Sequence, residues 1–109
     1  MLVVMTTTPD SEEAERLANS IVEKKLAACV QILPKMTSVY FWEGKVQTEP
    51  EHLLLIKTMD DKFEELSKFI RANHSYDVPE IVAIKAEKVS DDYLEWIHDV
   101  TSQNPDESG

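Results

Sequence analysis

Gly44 is the only glycine before the last of 109 residues, and it stands between two β-rich runs. The stretch SVYFWEGKVQTE, residues 38–49, therefore reads as two strands reversing sharply at Glu43-Gly44. Just before the turn, Tyr40, Phe41 and Trp42 supply three of only eight aromatic side chains in the chain. A lone interior glycine also excludes functions. Neither a Walker phosphate loop nor GxGxxG can be written around Gly44, no GxSxG elbow is present, and no DxDxDG calcium loop occurs. A Cys29–His74 nucleophile pair is conceivable on residue type, but a thiol within a strand-like run lacks an evident activating charge. No enzymatic activity is expected.

The periodicities order the elements. LVVMTT (2–7) is β-rich, and PDSEEAERLANSIVEKK (9–25) reads as a helix capped by Asp10 or Ser11, with Ala14, Leu17, Ala18 and Ile21 inward. LAACVQIL and TSVYFWE are strand-like runs interrupted at Pro34. After the turn the chain returns as KVQ, is interrupted at Pro50, and resumes as HLLLIKT. A second helix begins at Asp60 or Asp61 with Phe63, Leu66, Phe69 and Ile70 inward. Residues 78–86, VPEIVAIKA, give the last strand, and Ser90 caps a third helix carrying Leu94, Trp96 and Ile97.

This order is an α+β fold, the ferredoxin-like split β-α-β-β-α-β, with a long central hairpin and a C-terminal helix. Helices are expected on one face of an antiparallel sheet. Residues 1–103 form a single domain and 104–109 a disordered tail. Hairpin strands of roughly 15 residues, about 50 Å at strand rise, would overrun so small a sheet. The overhang would expose Tyr40, Phe41 and Trp42, which points to an oligomer with the hairpin docked on another subunit.

A net charge of −10, with no basic cluster larger than Lys24-Lys25, argues against nucleic acid as a partner. The aliphatic runs MLVVM and LLLI are too short for insertion into a membrane. The single cysteine, Cys29, fits a reducing compartment, and a cytoplasmic location is expected. The many carboxylates stand mostly at helix starts, where they complement the helix dipole.

LAACVQILPKMTSVYFWEGKV, LLLIKT, HSYDVPEI and DYLEWI, in this order, resemble the CutA divalent-cation tolerance family over about residues 2–100. The resemblance implies a ferredoxin-like homotrimer built by strand pairing between subunits, architectural kinship with the PII signalling proteins, and a role in tolerance of copper and other divalent cations. For animal members it also implies a link to acetylcholinesterase anchoring, and so a protein partner. A family copper site built from a cysteine ending the first strand and a histidine pair would fall here on Thr6, Asn73 and His74, keeping one ligand of three. No cofactor is required on this reading, and any Cu(II) or other divalent cation is held weakly, with His74 and Cys29 the candidate ligands. Cys29 also reads as a small buried apolar residue. The PII kinship implies clefts between subunits for a small anionic ligand. Trp42, Glu43, Lys57, Tyr76 and Glu80 are the candidates to line them, with Lys57 supplying the positive charge. A scaffold without a ligand is the alternative, in which Lys57 pairs at an interface or lies along apolar surface.

Overall fold

A computed structural model describes residues 1–103; the expected tail at 104–109 lies outside the described residues. The sheet is built on β1 (Leu2–Thr8), β2 (Cys29–Ile32), β3 (Met36–Trp42), β4 (Lys45–Thr58) and β5 (Val82–Lys85). Its order is β2-β4-β1-β5 with β3 also on β4, and every pairing is antiparallel. The helices are α1 (Ser11–Glu23), α2 (Phe63–Asn73) and α3 (Asp91–Thr101).

Strand alternation divides this sheet into two unlike faces. Val4, Leu54 and Ile56 point one way and pack on Ala14, Leu17, Ala18 and Ile21 of α1 and on Leu66 and Ile70 of α2. That is the core. Asp10 starts α1 by accepting a hydrogen bond from the Glu13 amide at 2.8 Å. Val3, Met5, Leu55 and Lys57 alternate onto the other face, where Val82 and Ile84 pair opposite Met5 and Val3. Both remain about half exposed, at 45% and 53%.

Four details differ from the sequence reading. Pro50 does not interrupt β4, which runs unbroken for 14 residues. At that position β4 has a neighbour on one side only, β3, and an edge tolerates a missing amide donor. The interruption expected at Pro34 is present, on the partner strand. Ile32 faces Leu54 and Met36 faces Glu51, so three residues around Pro34 oppose two on β4. The His52 ring, 3.0 Å from the Leu33 carbonyl, closes that bulge. The last strand starts at Val82 rather than Val78, because only residues 82–85 reach β1. A 3-10 turn, Asp60–Lys62, precedes α2. Finally, α3 lies on the face opposite α1 and α2. Lys57 places its ammonium 5.6 Å over the Tyr93 ring, and Ile97 is fully buried while Trp96 is exposed.

The overhang is real. Residues 45–51 of β4 pair with β3 alone, so the hairpin projects by seven residue pairs beyond the four-stranded part of the sheet. Glu43 and Gly44 both have positive φ, 51° and 80°, the backbone of a tight two-residue hairpin turn.

Candidate functional site

One side of the projecting hairpin faces the segment after α2. Ser38, Tyr40 and Trp42 on β3 and Glu51 on β4 share this side, because even-numbered residues of β3 pair with odd-numbered residues of β4. Together with Thr7, Val39, Ser75, Tyr76, Asp77, Val78 and Glu80 they line a cleft of about 640 Å³. That volume falls within the range of small-molecule sites, roughly 300–1,000 Å³. Phe41 and Val46, paired with each other, take the opposite parity and are 72% and 67% exposed.

Beneath the cleft lies a hydrogen-bonded cluster centred on His74, whose side chain is wholly buried. Its Nε2–H donates to the Thr7 carbonyl at 2.6 Å, and its Nδ1 accepts from the Tyr76 amide at 3.0 Å. These partners assign the neutral Nε2–H tautomer, and they use both ring nitrogens. Glu13 stands beside it, with Oε2 3.4 Å from Nδ1 and accepting from the Ser75 amide at 3.1 Å. The Tyr76 ring packs on His74 with centroids 4.8 Å apart, and its hydroxyl donates to Glu51 Oε2 at 2.9 Å. Burial, then the Glu51 carboxylate, pushes the Tyr76 phenol well above its ordinary range.

Of the five cleft candidates, the fold brings Trp42, Tyr76 and Glu80 together. Glu43 stays exposed at the turn, and Lys57 sits beyond the cleft under Tyr93. His74 is a strut in the cleft floor. Cys29 pairs with Lys57, whereas Thr7, bonded to His74, pairs with Leu53, four residues away on the other side of β4. By strand rise the two levels are roughly 13 Å apart. Among the described residues, no group of three or more His, Cys, Asp and Glu side chains is placed to hold a metal ion.

Sequence reasoning missed Glu13, Glu51, Asp77 and Thr7. Glu13 carried a signal. It falls four residues before Leu17 on the inward stripe of α1, and a carboxylate there needs partners. Glu51 carried none, since nothing local distinguishes it from its exposed neighbour Glu49.

Residues 2–100 match the CutA1 divalent ion tolerance protein family. The chain is 52% identical over 100 residues to Protein CutA, chloroplastic, of Arabidopsis thaliana, covering 92% of this chain and 55% of that protein. It is 43% identical over 99 residues to the divalent-cation tolerance protein CutA of Thermus thermophilus, covering 91% of this chain and 96% of that one. The structure of the periplasmic divalent cation tolerance protein CutA of Archaeoglobus fulgidus superposes with a TM-score of 0.89 at 40% identity, over 93% of this chain and 99% of the other. The chain spans about half the length of the plant and mammalian relatives it matches. Their names place relatives in the chloroplast and the periplasm, so the expected cytoplasmic location rests on Cys29 alone. No helix among the described residues is long and apolar enough to cross a membrane.

Proposed function

We infer function from one premise: the chain belongs to the CutA1 divalent ion tolerance family. On this reading it acts without catalysis, as a homotrimer in the response to divalent cations. The observation that carries the assembly is the hairpin. Val39, Phe41 and Val46 share one side of it and are each about two-thirds exposed or more. Apolar surface on a projecting ribbon with both outer edges unpaired supports docking on a second copy. Tyr40 and Trp42, which face the cleft, contribute less to that contact than Phe41.

Tolerance would work through weak cation contacts with the acidic surface, because the geometry favours no tight copper site. Both His74 nitrogens are engaged, and Cys29 lies elsewhere on the sheet. A reducing compartment such as the cytoplasm suits the free Cys29 thiol. Two measurements test this reading together. Expression in a copper-sensitive strain should raise the copper concentration that permits growth, and unchanged growth would remove the tolerance role. Calorimetry should give a Cu(II) dissociation constant weaker than about 10 μM. Nanomolar binding would show a ligand set that the fold does not display.

A further inference from the structure

We draw no further inference here: the strongest candidate, the buried Glu13–His74 pair between α1 and the segment after α2, belongs to the site already described, where both ring nitrogens and the facing carboxylate oxygen are already hydrogen-bonded to backbone groups.

Discussion

Replacing His74 by alanine separates a structural strut from a metal ligand. The side chain is wholly buried and makes two hydrogen bonds, to the Thr7 carbonyl and from the Tyr76 amide. Each abandoned backbone group costs about 1–3 kcal/mol if it stays dry. Thr7 and Tyr76 both border the cleft, so water can reach part of the gap and each group costs only about 1–1.5 kcal/mol, the lower end of that range. The summed loss is about 2–3 kcal/mol. For a domain of this size each kcal/mol moves Tm by roughly 4–8 °C, so the midpoint should fall by roughly 10–20 °C. Urea titration should show a lower midpoint at an unchanged slope, and the Ser75 and Tyr76 amides should lose protection from exchange. Cu²⁺ should leave the wild-type midpoint almost where it was. A loss below about 0.5 kcal/mol would refute the strut. So would a Cu²⁺ stabilisation near 2.7 kcal/mol at a hundredfold excess over the dissociation constant that His74→Ala abolishes, since the ring would then be a ligand.

Two further substitutions probe the same neighbourhood. The unfolded chain releases the Tyr76 proton near pH 10, whereas the folded chain holds it to higher pH. Wild-type stability therefore falls as pH rises above 10, and Tyr76→Phe should flatten that part of the denaturation-midpoint curve. Asp10→Ala removes the acceptor for the Glu13 amide and should cost about 0.5–2 kcal/mol in urea titration. Because α1 positions Glu13 beside His74, protection of the Ser75 amide should fall with it.

The fold was legible wherever local pattern and burial agree. The inward stripes of α1 and α2 repeat every three to four residues, and both helices formed at those residues. Departures arose where pairing partners decide the outcome. Pro50 reads as a break only if β4 has neighbours on both sides, and residues 78–81 read as strand only if β1 extends to meet them. No single stretch encodes either condition. Trp96 lies roughly 100° around α3 from the buried Ile97, so its ring packs on Tyr93 at the margin of the apolar arc and stays half exposed. The site was less legible than the fold. Trp42, Tyr76 and Glu80 stand at turns and strand ends, which made them candidates. The place of Lys57 within the chain was not legible, because an apolar strand ending in lysine looks the same whether the ammonium enters a cleft or lies over Tyr93. Glu51 and Asp77 gain meaning only once a neighbouring segment folds over them.

The hairpin account stands or falls on the mass of the native particle. Light scattering at low micromolar concentration should give three times the chain mass of 12.5 kDa. Phe41→Asp, which places a charge on the outer side of the hairpin and away from the cleft, should shift the particle toward a single chain. A wild-type monomer, or a Phe41→Asp trimer as stable as the wild type, would contradict docking through that face.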